Sequence, residues 1–127
     1  MADSIFTKII KGEIPCHKVY EDDKTLAFMD INAVTPGHVL VVPKNQFDIW
    51  DLPDDDYQSL MKTVRAVAKR VQAVLKPVRT GIQVVGIDVK DHAHVHIIPF
   101  NDVAEFRGIP HPASESDLAA MAQKLRF

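Results

Sequence analysis

Histidine occupies every second position of the run His92-Ala93-His94-Val95-His96, which continues into Ile97-Ile98-Pro99. Extended chain turns successive side chains to opposite faces. The alternation therefore predicts a strand with the imidazoles on one face and Ala93, Val95 and Ile97 on the other. With a rise of ~3.3 Å per residue, neighbouring rings on that face lie about 6.6 Å apart. Polar rings so aligned add nothing to a core. Two chemistries suit them. The rings can converge on a metal ion through their nitrogens, or one ring can attack phosphorus while the others orient it and the phosphate.

A chain of 127 residues, 46% hydrophobic and 25% charged, has the size and composition of one globular domain with a real core. Its net charge of −2 argues against a general nucleic-acid binder, which needs a basic face. The lone Cys16 allows no internal disulfide and fits a reducing compartment. Ile5-Phe6-Thr7-Lys8-Ile9-Ile10-Lys11 mixes charge with apolar residues, unlike a signal peptide. No apolar run approaches the ~20 residues of a membrane span, so the expectation is a cytoplasmic protein that binds no membrane.

Asp3 or Ser4 caps a short helix carrying Ile5, Phe6, Ile9 and Ile10, which stops at Gly12. Lys18-Val19-Tyr20 and Thr25 to Ile31 read as strands around a Glu21-Asp22-Asp23 turn. Thr35-Pro36-Gly37-His38 is a turn signal, and Val39-Leu40-Val41-Val42 a buried strand. The longest element is a helix from about Asp54 to Lys76, with Leu60, Val64, Val67, Val71 and Val74 on one stripe and acidic residues at its start. Gly81-Ile82-Gln83-Val84-Val85 reads as a fourth strand, the triple-histidine strand as a fifth, and a helix capped by Ser114 or Ser116 closes the chain. The fold class expected is α+β: an antiparallel five-stranded sheet backed by one long helix, with a short N-terminal helix, in a single domain over 1–127.

His92-x-His94-x-His96 followed by apolar residues resembles the signature of the histidine triad (HIT) nucleotide hydrolases and transferases. Ile5 to Pro15 resembles that family's opening helix. Val19 to Asp23 and Leu26 to Ile31 resemble its first hairpin, and Pro36 to Lys44 the strand that supplies a fourth histidine, His38. The likeness runs in the family's order over about 4–100 and leaves a tail, 101–127, uncovered.

The resemblance implies cleavage at the α-phosphate of a nucleoside monophosphate conjugate or a dinucleoside polyphosphate. His94 would be the nucleophile, forming a nucleotidyl-histidine that water hydrolyses. His92, His96 and His38 would orient it or contact phosphate oxygens. Crowded imidazoles disfavour positive charge, so their pKa values are expected below the ordinary ~6.5, which keeps a neutral ring available. Ile5, Phe6, Ile9, Phe28 and Ile31 would hold the base, expected to be a purine, and Asp30 the ribose hydroxyls. No cofactor or metal is required by this chemistry, and relatives pair two protomers through one continuous sheet, so a homodimer is expected. The alternatives are a metal-dependent enzyme using His92, His94 and His96 as ligands, and a non-catalytic nucleotide-binding protein.

Two departures stand out. Val84-Val85-Gly86-Ile87-Asp88-Val89-Lys90-Asp91 lacks the asparagine and the glycine-glutamine-serine or -threonine run of the hint-like branch. Val89 stands where the hydroxyl that donates a proton to the leaving group would be. Lys90, Asp88, Asp91 or water is then left as its substitute. Some bacterial relatives also bind structural zinc through two cysteines of the opening helix, a downstream histidine and the first triad histidine. Ser4, Thr7 and Gln46 occupy the first three of those places, so zinc is not expected. His17 reads as a surface residue, and His111 as a candidate to fold toward the site.

Overall fold

A computed structural model describes residues 2–127. Helix α1 (Ile5–Ile10) starts at Ser4, whose hydroxyl accepts from the Thr7 amide at 3.0 Å and satisfies a first-turn donor. Strands β1 (Lys18–Glu21) and β2 (Thr25–Met29) form a hairpin closed by Asp22, whose carboxylate accepts from the amides of Lys24 and Thr25. The short β3 (Asn32–Ala33) precedes a turn into β4 (Val39–Pro43). Gly37 makes that turn at φ 95°, where an added Cβ would also run into Leu75 and Pro99.

Helix α2 (Asp54–Leu75) ends on a left-handed Lys76 just before Pro77. After it come β5 (Arg79–Gln83), β6 (Val95–Phe100), α3 (Val103–Phe106), β7 (His111–Pro112) and α4 (Glu115–Leu125), the last capped by Ser114. The main sheet is five-stranded and antiparallel in the order β1-β2-β4-β6-β5, while β3 and β7 form a separate ribbon. The architecture is the expected α+β sheet with one long helix.

Both faces of the central strands are covered, which explains why Val39-Leu40-Val41-Val42 is apolar without alternation. Ala27, Met29, Val39, Val41, Val95 and Ile97 meet Leu60, Val64, Val67 and Val71 of α2, and Leu118, Ala122 and Leu125 of α4 join the same core. The uncovered tail thus supplies core. On the other face Leu26, Phe28, Leu40 and Val42 pack against Phe6 of α1.

β2 ends at Met29 rather than Ile31, and two further strands differ from expectation. β6 begins at Val95 rather than His92, because the loop after β4 captures the chain ahead of it: Ala93 N donates to the Phe47 carbonyl at 2.7 Å. The alternation of faces nevertheless persists through the captured segment. β5 begins at Arg79 and stops at Gln83, opposite His96, so Val84 and Val85 lie outside the ladder and are exposed.

Candidate active site

The histidines occupy the face that α1 covers. His92 is fully buried and held at both ring nitrogens: Nε2 lies 2.7 Å from the Pro43 carbonyl and Nδ1 2.6 Å from the Ser4 hydroxyl. A carbonyl only accepts, so the proton sits on Nε2 and Nδ1 accepts from Ser4. The His92 carbonyl in turn lies 2.9 Å from His94 Nδ1. By the same logic His94 carries its proton on Nδ1, and its Nε2 keeps a free lone pair.

A second chain of bonds orders the other pair. The Val34 amide donates to His38 Nδ1 at 3.0 Å, so the His38 proton is on Nε2, which faces His96 Nδ1 at 2.9 Å. His96 therefore presents Nε2–H as its remaining donor. Burial is the main cause of the low basicity here. It pushes His38 down to about 3 and His96 down to about 4, with the neighbouring ring a smaller contribution in each case. Burial also lowers His92. Desolvation, more than crowding, keeps these rings neutral.

Asp30 closes the cluster. Its Oδ1 accepts from the Asn32 amide at 2.9 Å, and its Oδ2 lies 3.5 Å from His38 Nε2 and 3.7 Å from His96 Nδ1. With both rings neutral at pH 7 these contacts are not ion pairs. Burial raises the Asp30 pKa, with the hydrogen bond from the Asn32 amide acting against it.

Asp30, His38 and His96 have the composition of a metal site, and their spacings approach the ~3.3 Å edge of a tetrahedron with ~2.05 Å bonds. The proton order opposes it. Binding through His38 Nε2 would move the ring proton to Nδ1, where it would oppose the Val34 N–H. The triad itself does not converge on an ion either, because both His92 nitrogens and one of His94 are engaged with protein groups. The donor sets fit no metal.

Ile5, Phe6, Ile9, Phe28, Asp30 and Ile31 line one cavity of about 370 Å³ together with His94 and His96. Phe6 is its keystone: its ring centroid lies 5.0 Å from His94 and 6.0 Å from Phe28. Ile5 and Ile31 sit exposed at the mouth. His92 and His38 stand behind the cavity wall, not on it.

Of the substitutes in the compact loop, Asp88 lines the cavity beside an apolar Val89, whereas Asp91 accepts from Gln46 Nε2 at 2.8 Å. His17 is half-buried at the rim rather than on open surface, 2.8 Å from Glu115. His111 does not reach the cavity. It lies exposed in β7, and the tail meets the site through Glu115 instead. No local signal links His17 to a residue 98 positions away.

A buried imidazole with a free Nε2 faces an apolar cavity with a carboxylate at its edge, an arrangement that suits a nucleophilic histidine. The HIT domain model matches residues 11–103. An adenosine 5'-monophosphoramidase of Candida albicans is 34% identical, over 98% of this chain and 90% of its own length. A Hit-like protein involved in cell-cycle regulation from Bartonella henselae superposes with a TM-score of 0.85 at 32% identity, covering 99% of this chain and 98% of that one. A hypothetical histidine triad nucleotide-binding protein from Sulfolobus tokodaii gives 0.84 at 27% identity, covering 97% and 89%. The chain belongs to the HIT domain family. Within that family it is an enzyme of the hydrolase class.

Proposed function

We propose that this protein hydrolyses nucleoside monophosphate phosphoramidates through a nucleotidyl-His94 intermediate. The observation that carries the reading is the 2.9 Å contact between His94 Nδ1 and the His92 carbonyl, which leaves Nε2 as the free lone pair beside the cavity. Nε2 attacks the α-phosphorus, and the P–N bond breaks with its electron pair on the departing nitrogen, which takes a proton from water at the open mouth. The modified His94 is cationic, stabilised by the His92 carbonyl and by Asp30. His96 Nε2–H donates to a phosphoryl oxygen, and His38 holds His96 in that tautomer. Water then attacks phosphorus, the bond to His94 breaks, the nucleoside monophosphate leaves, and a proton returns to solvent.

Substrate class follows from charge. Asp30, Asp88 and Glu115 line the cavity, and no lysine or arginine does among the described residues. A polyphosphate leaving group would be repelled there, whereas an amine would not. The Candida relative's activity points the same way. The apolar walls, Ile5, Phe6, Ile9, Phe28 and Ile31, suit the large face of a purine, and Asp30 suits the ribose hydroxyls. A homodimer is proposed through the free edge of β5, where Ile82 is exposed and Val84 and Val85 follow. No helix among the described residues is long and apolar enough to cross a membrane. With the single cysteine, the cytoplasm is the proposed location.

The test is AMP release from an AMP phosphoramidate and from diadenosine tetraphosphate in excess EDTA, comparing wild type with His94→Ala. Release from the phosphoramidate that survives EDTA and vanishes in the variant is expected. Loss on chelation would favour the metal-dependent alternative. AMP binding without any release would leave a binding protein.

A further inference from the structure

The four positions at which some relatives are expected to hold zinc do converge, but they carry a hydrogen-bonded cluster that no zinc ion fits, since hydroxyls and an amide replace the thiolates and an imidazole. Ser4 Oγ lies 2.6 Å and Thr7 Oγ1 3.3 Å from His92 Nδ1. Gln46 Oε1 accepts from Thr7 Oγ1 at 2.8 Å and from the Ser4 amide at 2.9 Å. Its Nε2 donates to the Ala2 carbonyl at 2.9 Å and to Asp91 at 2.8 Å.

Ser4 Oγ also lies 3.4 Å from Thr7 Oγ1, but its contact with His92 Nδ1 is far shorter, and the shortest contacts give the protons one consistent arrangement. The Thr7 hydroxyl donates to Gln46, so it is not the donor to His92. The Thr7 amide donates to Ser4 Oγ, which leaves the Ser4 hydroxyl proton to point at His92 Nδ1. His92 Nε2–H then goes to Pro43, and the His92 carbonyl receives His94 Nδ1–H. Ser4 and His94 thus both donate to His92, which links the cap of α1 to the reacting ring.

We propose that Ser4 is a positioning residue: braced by Thr7 and Gln46, its hydroxyl locks the His92 ring as the Nε2–H tautomer and, through the His92 carbonyl, aims the His94 lone pair. The inference rests on His94 being the nucleophile. A ring pinned at both nitrogens cannot rotate, so the carbonyl that orients His94 cannot drift. Phe6, two residues along α1, packs against His92 and His94 at 5.6 and 5.0 Å, so the helix that clamps the triad also walls the cavity.

The test combines kinetics with NMR on the full chain. Ser4→Thr keeps both the cap and the donor. Ser4→Asp keeps the cap to the Thr7 amide but offers His92 only an acceptor. Ser4→Ala removes both. With AMP phosphoramidate as substrate, Ser4→Ala and Ser4→Asp are expected to lose kcat by roughly 10–100-fold, the scale on which hydrogen-bond partners matter to metal-ligating histidines. KM should stay within about twofold, and Ser4→Thr should remain close to wild type. Long-range 1H–15N correlation on wild type should show His92 as the Nε2–H tautomer.

Full kcat in Ser4→Asp would reduce Ser4 to a helix cap and overturn the proposal. So would losses confined to KM, or an Nδ1–H tautomer in wild type, a readout that needs no folded variant. His94→Ala separates the two levels. Undiminished turnover in that variant would sink the nucleophile reading itself, whatever the Ser4 variants do.

Discussion

Acidification should destabilise this protein well before its carboxylates titrate, because two buried rings must be neutral to stay folded. In the unfolded chain a histidine titrates near 6.5. In the fold His38 is pushed down to about 3 and His96 to about 4. Between those limits the unfolded state binds protons that the folded state refuses, so stability is lost as pH falls below 6.5 and is fully present above it. From about pH 7.5 to about pH 5 each ring costs about 2 kcal/mol, and the pair about 4 kcal/mol. His92, lowered in the same direction, adds to the loss. Asp30 opposes it, since a raised carboxyl pKa means that the folded protein takes that proton more readily.

The assay is urea unfolding across this pH range, with His38→Gln as the partner experiment. That variant should keep about half of the pH dependence. A stability that changed by less than about 1 kcal/mol over the range would refute the claim that these rings are buried neutral.

Other outcomes follow from the same geometry. Asp30→Asn should raise KM for ribonucleoside conjugates by about tenfold, the scale of one good hydrogen bond, while barely changing KM for 2',3'-dideoxy conjugates, and should lower kcat on both because the cationic His94 intermediate loses a countercharge; equal KM effects on both would contradict the ribose role. Because Val89 offers no proton, turnover should fall steeply as the amine leaving group becomes more basic, and a flat series of rates would show that a donor exists after all. Leu60 is fully buried among α2 and the sheet, so Leu60→Ala should cost about 2–5 kcal/mol in urea unfolding with kcat intact.

Much of the fold was legible in the chain because local and tertiary preferences agree. Helix α2 combines an acidic start, a stripe through Leu60, Val64, Val67 and Val71, and a stop at Pro77. Ser4 and Ser114 were readable as caps for the same reason. Misreadings arose where tertiary contacts override local pattern. The stretch from His92 to His94 alternates like a strand, yet the Ala93 amide goes to the Phe47 carbonyl outside the sheet, and the β5–β6 ladder ends at Gln83 opposite His96. The β3–β7 ribbon joins Asn32 to Pro112, a pairing invisible to local periodicity.

The histidines announced a site through their alternation, but not their division of labour. His94 and His96 face the cavity, while His92 and His38 are held behind it by backbone groups. That difference depends on which carbonyl or amide meets each ring, and the carbonyl of Pro43 and the amide of Val34 carry no side-chain signature. Ser4 was legible as a cap, and otherwise Ser4, Thr7 and Gln46 were visible only as zinc ligands missing from their places. Their mutual hydrogen bonds required the fold.

The central claim is a covalent bond between His94 and phosphorus, and the stereochemical course of the reaction tests it most directly. The substrate is a P-chiral AMP phosphorothioate amidate, hydrolysed in isotopically labelled water, with the configuration of the product read by 31P NMR. Each in-line displacement inverts phosphorus, so attack by His94 followed by attack by water predicts net retention. Net inversion would mean that water attacks the substrate directly and that His94 is not the nucleophile.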